Sequence, residues 1–79
     1  MSKKVIIYST PTCGYCNEAK AFFKLNDIAY EEHNVASDAA KRKEMVEKSG
    51  QMGVPVIDIE GDITIGFDRE ALAQTLGIA

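Results

Sequence analysis

The sequence predicts an α/β domain: one mixed sheet of four strands with three helices on its two faces, in the order βαβ-α-ββ-α. Three observations carry that expectation. Val5-Ile6-Ile7-Tyr8 is a β-branched and aromatic run, and a second such run, Val56 to Ile59, is followed after a tight turn by Ile63-Thr64-Ile65. Three stretches between and after these runs have helix formers and apolar residues at helical spacing. Finally, Ser9-Thr10-Pro11-Thr12-Cys13-Gly14-Tyr15-Cys16 lies where the first strand should turn into the first helix, and it holds both cysteines of the chain. The 79 residues suffice for one small domain, expected to span positions 1–79.

The first strand is expected over Lys3 to Tyr8. Ser9 to Thr12 is turn chemistry, and Pro11 blocks continuation of the strand. Cys13 to about Asn26 reads as the first helix, with Ala19, Phe22 and Phe23 facing inward. Ala29 to Val35 reads as a second strand, less apolar than the first, with Tyr30 and Val35 as its buried residues and His33 partly exposed. This unit predicts a right-handed parallel crossover. Ser37 is placed as the N-cap of a second helix, with Asp38 in its first turn. That helix runs from Ala39 to Lys48 with a narrow apolar stripe of Ala39, Met45 and Val46, and Gly50 ends it. Val56, Ile57 and Ile59 form a third strand, with Pro55 tolerated at its start. Glu60-Gly61-Asp62 turns it into an antiparallel partner, Ile63 to Ile65. Asp68 caps a last helix from Arg69 to about Leu76, with Ala71, Leu72 and Leu76 inward and Gly77 closing it.

The cysteine spacing is the chemical signal. Residues three apart at the start of a helix lie on one face, so the two sulfurs are within reach of each other. The first N–H groups of the helix lack internal partners, and its dipole is positive at that end. Both favour the thiolate, so the pKa of Cys13 is expected below the free-thiol value of ~8.5. Cys13 is then the nucleophile, and Cys16, one turn further in, resolves the mixed disulfide. Two other uses of such a pair fit the sequence less well. Zinc usually takes four ligands, and the remaining candidate, His33, stands alone in a predicted strand. A permanent disulfide would close a tiny loop and restrain the unfolded chain little.

Composition narrows the classes further. The net charge of −3 does not favour a nucleic-acid surface. Met1-Ser2-Lys3-Lys4 leads into only about four apolar residues, short of a signal-peptide core. No run approaches the ~20 apolar residues of a membrane span. A cytoplasmic, monomeric protein is the expectation, and two cysteines in a reducing compartment point to chemistry more than to stapling.

The ordered set of motifs resembles the glutaredoxin family within the thioredoxin fold: a strand, Cys13-Gly14-Tyr15-Cys16 at a helix start, Val54-Pro55 some forty residues later, and Gly66-Phe67-Asp68 before the final helix. The resemblance covers nearly the whole chain. The segment Ser49 to Ile57 is similar to that of the short bacterial redoxins, relatives of those that serve ribonucleotide reductase. The resemblance implies a cis Val54–Pro55 bond, which would turn the Val54 backbone toward the dithiol for strand-like pairing with a cysteinyl segment. It implies that Gly66, Phe67 and Asp68 hold the γ-glutamyl end of glutathione. Asp68 can also be a plain N-cap, and one residue can do both. Arg42 matches the position that reaches the glycine carboxylate of glutathione, where an arginine fork suits the task; the alternative is a solvated helix arginine. Tyr15 matches the aromatic beside the substrate.

The departures from the family pattern matter as well. Thr10 stands three before the nucleophile, where the family commonly has Lys or Arg. Ile65 replaces a second glycine, and Arg69 replaces a second acidic residue. Gly14 replaces a frequent proline, a loss associated in the family with a [2Fe–2S] cluster shared between two protomers. Cys16 argues against the strictly monothiol branch.

The resemblance therefore implies a glutathione-linked thiol–disulfide oxidoreductase that reduces protein disulfides and glutathione mixed disulfides. Glutathione is its co-substrate, and no organic cofactor or metal is required. Its expected potential is in or slightly below about −200 to −230 mV. Two alternatives stay open: a redoxin recharged by thioredoxin reductase, and a [2Fe–2S] carrier using Cys13 across a dimer.

Overall fold

The alternation of β1 (Val5–Ser9) sends Val5, Ile7 and Ser9 to one face of the sheet and Ile6 and Tyr8 to the other. Both faces are covered, which explains a strand apolar on both sides. The computed structural model describes residues 3–78. Met1 and Ser2, part of the start read above as lacking a signal peptide, and Ala79, the last position of the expected domain, lie outside the described residues. The other elements are α1 (Gly14–Leu25), β2 (Glu31–Asn34), α2 (Ala39–Ser49), β3 (Val56–Ile59), β4 (Asp62–Ile65) and α3 (Arg69–Leu76). This is the expected βαβ-α-ββ-α order, and it forms a thioredoxin fold.

The sheet order is β2-β1-β3-β4. β1 runs parallel to β2 and antiparallel to β3, and β3 pairs antiparallel with β4. On one face Val5, Ile7, Ile57 and Ile59 pack against Ala19, Phe22 and Phe23 of α1 and Leu72 of α3. On the other, Tyr8, Val35 and Val56 pack against Met45, the one fully buried residue of α2. The β3–β4 hairpin turns on Glu60 and Gly61, whose φ values of 52° and 98° give the primed turn that suits the strand twist.

Several boundaries shift from the sequence expectation. β1 starts at Val5, not Lys3. Cys13 is the N-cap of α1 and not its first helical residue. β2 is confined to Glu31–Asn34, leaving Tyr30 half-buried against Phe23 while the Val35 N–H still donates to the Ser9 carbonyl at 2.9 Å. Asp38, not Ser37, caps α2: its Oδ1 accepts from Lys41 N at 3.0 Å, while Ser37 N donates back to Asn34 O within the preceding turn. Ala39 then occupies the first helical position and is exposed, so the stripe of α2 reduces to Met45 and Val46.

Polar side chains hold what α2's thin apolar stripe does not. The buried Tyr8 hydroxyl donates to Glu44 Oε2. Lys48 Nζ donates to Tyr8 Oη at 2.8 Å and to Asp58 Oδ2 at 2.7 Å, and the Gly61 N–H donates to Asp58 Oδ1. On the α1 face, Glu32 Oε2 accepts from Ser9 Oγ at 2.8 Å and from Lys20 Nζ at 2.7 Å.

These contacts fix a pH dependence of stability. The Tyr8 hydrogen bond holds Glu44 below the usual carboxylate range. The hydrogen bonds from Lys20 and Ser9 do the same for Glu32. Burial pushes Asp58 up, but the bonds from Lys48 and the Gly61 N–H outweigh it and leave it lowered. A carboxyl whose folded pKa lies below its unfolded value contributes stability above the unfolded value, about 4, and loses it as pH falls through the folded one. The urea midpoint is therefore expected to drop between about pH 5 and pH 2. The drop should be shallower in Asp58→Asn and in Glu32→Gln. An acid limb of unchanged steepness in both variants would refute this account.

Candidate active site

The first turn of α1 brings the cysteines together. Thr10 to Thr12 leaves the C-terminal end of β1 as a turn, with Cys13 N donating to Thr10 O at 3.3 Å. Cys13 then caps the helix in an extended conformation, φ −86° and ψ 111°. Its Sγ accepts from the backbone N–H of Cys16 at 3.1 Å. A sulfur in this place meets one of the helix's unpaired donors and the positive end of its dipole, the two effects that favour thiolate in the reduced form.

Cys13 and Cys16 are joined as a disulfide, with Cα atoms 5.2 Å apart, inside the usual span for such a bond. The two sulfurs differ in access. Cys13 is partly exposed, and Cys16 is 0% exposed beneath it. Tyr15, between them, is 66% exposed and borders an open depression with Gly14 and Glu18.

Two other segments reach this end of the sheet. Val54–Pro55 is cis, Pro55 is buried and Val54 half-buried. Val56 pairs with Tyr8, which sets Pro55 beside the strand end that leads to Cys13. Gly66 N donates to Pro55 O at 2.8 Å, with Gly66 at φ +81°, so the exit of β4 joins the same end. Phe67 is half-buried against Phe22, ring centroids 6.0 Å apart. Asp68 is exposed and caps α3, its Oδ1 accepting from Ala71 N at 3.1 Å.

Thus Thr10, Cys13, Tyr15, Cys16, Val54, Pro55, Gly66, Phe67 and Asp68 fall on three segments that meet at one end of the sheet. Arg42 stands apart, exposed on α2 across the sheet from α1. Among the described residues no carboxylate lies within ion-pair reach of its guanidinium. A cleft lined by Lys3, Lys4, Tyr30 and Glu60 is comparable in size to the Tyr15 depression, but it opens at the opposite end of β1 and contains no thiol.

The arrangement is that of a reversible dithiol: an accessible sulfur at a helix start, with a second sulfur behind it. The glutaredoxin family model matches residues 5–64, taking in the dithiol turn, the cis-proline segment and all of β4 but its last residue. The chain belongs to the glutaredoxin family. It is 48% identical over 70 residues to a glutaredoxin-like 8.6 kDa protein of the rubredoxin operon of Clostridium pasteurianum, covering 89% of this chain and 93% of that one. It is 39% identical over 64 residues to glutaredoxin 3 of Escherichia coli, covering 81% and 77%. The crystal structure of the thioredoxin-like protein BC3987 superposes with a TM-score of 0.86 at 36% identity, covering 91% of this chain and 99% of the other. This member of the glutaredoxin family is accordingly a thiol–disulfide oxidoreductase with a Cys13–Cys16 pair.

Sequence reasoning missed the two polar clusters of this glutaredoxin-family chain. Glu44 and Lys48 lie outside the apolar stripe that the sequence marks on α2, yet both reach inward to Tyr8. The signal was Asp58, an acid inside an otherwise apolar strand, which needs a partner when buried. Among the described residues no helix is long and apolar enough to cross a membrane.

Proposed function

We propose that the chain reduces glutathione mixed disulfides and protein disulfides, with glutathione as the electron donor. The observation that carries this reading is the asymmetric pair: a partly exposed Cys13 whose sulfur receives a helix N–H, and a fully buried Cys16 behind it. In the monothiol route the Cys13 thiolate attacks the glutathione sulfur of a mixed disulfide. The target thiolate leaves and takes a proton. A second glutathione thiolate then attacks the bound glutathione sulfur, forming oxidised glutathione and freeing the Cys13 thiolate. In the dithiol route Cys13 attacks a protein disulfide, and Cys16 attacks Cys13 to release the protein's second thiol. Two glutathiones reduce the resulting Cys13–Cys16 bond.

The binding roles come from the family resemblance, and the positions of most of the residues support them. The backbone N–H groups of Phe67 and Asp68 suit the γ-glutamyl carboxylate, Gly66, whose own N–H is held by Pro55 O, makes the turn before them, and the Asp68 oxygen not used as a cap suits the amine. The Val54 backbone suits strand-like pairing with the cysteinyl unit. Exposed Tyr15 offers an apolar wall; Arg42 stands apart from these segments, and its role as a fork for the glycine carboxylate rests on the family resemblance alone. Thr10 supplies a hydroxyl without charge. No organic cofactor takes part, and the protein works as a cytoplasmic monomer. Among the described residues no group of three or more His, Cys, Asp or Glu is set to hold a metal ion. A cluster would draw on Cys13 and on ligands from outside the chain, and no step above runs through one.

Thr10 favours a second reading. Without a cation three residues before Cys13, one contact to glutathione is missing, and thioredoxin reductase becomes the rival electron donor. The two readings separate in a Cys16→Ser variant exposed to oxidised glutathione at neutral pH and followed by intact mass. The glutathione reading predicts one adduct on Cys13, formed and released by reduced glutathione faster than on an unstructured cysteine peptide. Rates no faster than the peptide's would overturn it in favour of the reductase-fed redoxin.

A further inference from the structure

We infer that Lys48 is a positioning residue for the substrate: its ammonium clasps the two ends of the segment that presents Val54-Pro55 to the dithiol. The inference rests on reading that segment as substrate-facing. Lys48 lies in the last turn of α2, two residues before the left-handed Gly50 that ends the helix. Asp58 lies in β3, three residues after Pro55. The 2.7 Å bond between Lys48 Nζ and Asp58 Oδ2 therefore closes a loop over residues 49–57. The same nitrogen donates to Tyr8 Oη at 2.8 Å, which ties the loop to the strand leading to Cys13. Glu44 Oε2, 3.8 Å away on the same helix, completes the ring of partners.

Inside the loop the bonds are local. Ser49 Oγ lies 2.8 Å from Met45 O and 2.9 Å from Gln51 O. The Gln51 amide brackets Gly53, with Gly53 N donating to Oε1 at 2.7 Å and Nε2 donating to Gly53 O at 3.1 Å. Met52 is 65% exposed. From Gly50 to Val54 the segment is thus shaped by itself and aimed by its ends. Pro55 anchors the far end through Gly66, and Lys48 anchors the near end. The ammonium is suited to this work. Burial pulls its pKa down, but the hydrogen bonds to Asp58 and Tyr8 outweigh burial and raise it, so the charge stays in place at every working pH. Nothing in the clasp touches either sulfur. Its effect should fall on docking of an extended thiol substrate and leave the intrinsic reactivity of Cys13 alone.

The test is steady-state reduction of a short peptide disulfide that contains no glutathione, with dithiothreitol recharging the Cys13–Cys16 pair and its direct reaction with the peptide subtracted, for wild type, Lys48→Met and Lys48→Arg. Lys48→Met is expected to raise KM about tenfold with kcat retained, well inside the ~100-fold that small misplacements can cost. Lys48→Arg, which keeps the charge and the donors, is expected to restore KM. The pH profile of Cys13 alkylation by iodoacetamide, which needs no docking, should be the same in all three. A folded Lys48→Met with wild-type KM overturns the inference, as does a shifted alkylation profile. If Lys48→Met does not fold, Asp58→Asn gives the same reading: a raised KM supports the clasp and an unchanged KM refutes it. Because the peptide carries no glutathione, failure of the glutathione reading appears only in the Cys16→Ser adduct rates and leaves this result standing.

Discussion

Replacing Cys13 by serine is expected to lower turnover of every disulfide substrate by at least about 10³-fold, while Cys16→Ser loses only the dithiol route. The difference follows from access. Cys13 is the sulfur an external disulfide can meet, and its thiolate gains the Cys16 N–H and the end of the α1 dipole. A serine hydroxyl in the same place is no nucleophile at neutral pH and cannot form the mixed disulfide. Cys16 acts only after that intermediate exists. Its serine variant should keep reduction of glutathione mixed disulfides near the wild-type rate and lose reduction of intramolecular protein disulfides. Both activities are read with the same two substrates under steady-state conditions. Loss of both activities in Cys16→Ser, with the fold intact, would contradict this division of labour.

The largest stability effect is expected at Phe23. Its side chain is 0% exposed on the α1 face of the sheet, inside the cluster of Ile7, Ile57, Ile59 and Leu72, with the Tyr30 ring 5.5 Å away. Phe23→Ala removes the ring and leaves a cavity that the surrounding strands fill poorly, a change that costs about 3–5 kcal/mol. A domain this small has about 4–12 kcal/mol in all, at the usual stability per residue. The melting temperature, followed by circular dichroism, should fall by roughly 15–30 °C. Phe23→Leu, which keeps most of the volume, should lose far less. A fall of only a few degrees in Phe23→Ala would mean that the α1 face is not the principal core.

The elements that were legible in the sequence are those whose local chemistry and tertiary role agree. Val5 to Tyr8 reads as a strand and is one, because β-branched residues fit a pleat buried on both faces. Phe22 and Phe23 point inward at helical spacing, and Gly50 and Gly77 end their helices in the left-handed region that glycine adopts without cost. The cysteine pair was legible because its spacing and its helix start are both local. The cap of α2 was misplaced by one residue, since Ser37 and Asp38 offer equivalent side-chain oxygens and only the reach to Lys41 N chooses between them. Periodicity points Ala39 inward, but at the first helical position it is exposed and Met45 alone of α2 is fully buried. The polar clusters were illegible for a different reason. Tyr8 and Lys48 are forty positions apart, and Lys48 and Asp58 meet only because α2 crosses the sheet on the side that Tyr8 faces. No window along the chain contains that information.

The unequal exposure of the two sulfurs also gives electrons a single door into and out of the protein. An incoming thiolate has a single point of entry on the oxidised pair, the Cys13 sulfur, since the other is sealed from solvent. Every covalent visitor is therefore lodged at one address, and Cys16 serves as a built-in timer that evicts it. A target that holds its second thiol ready leaves at once, while a target with none waits until the timer or a free thiol releases it. Removing the timer leaves each visitor in place until a free thiol from solution releases it.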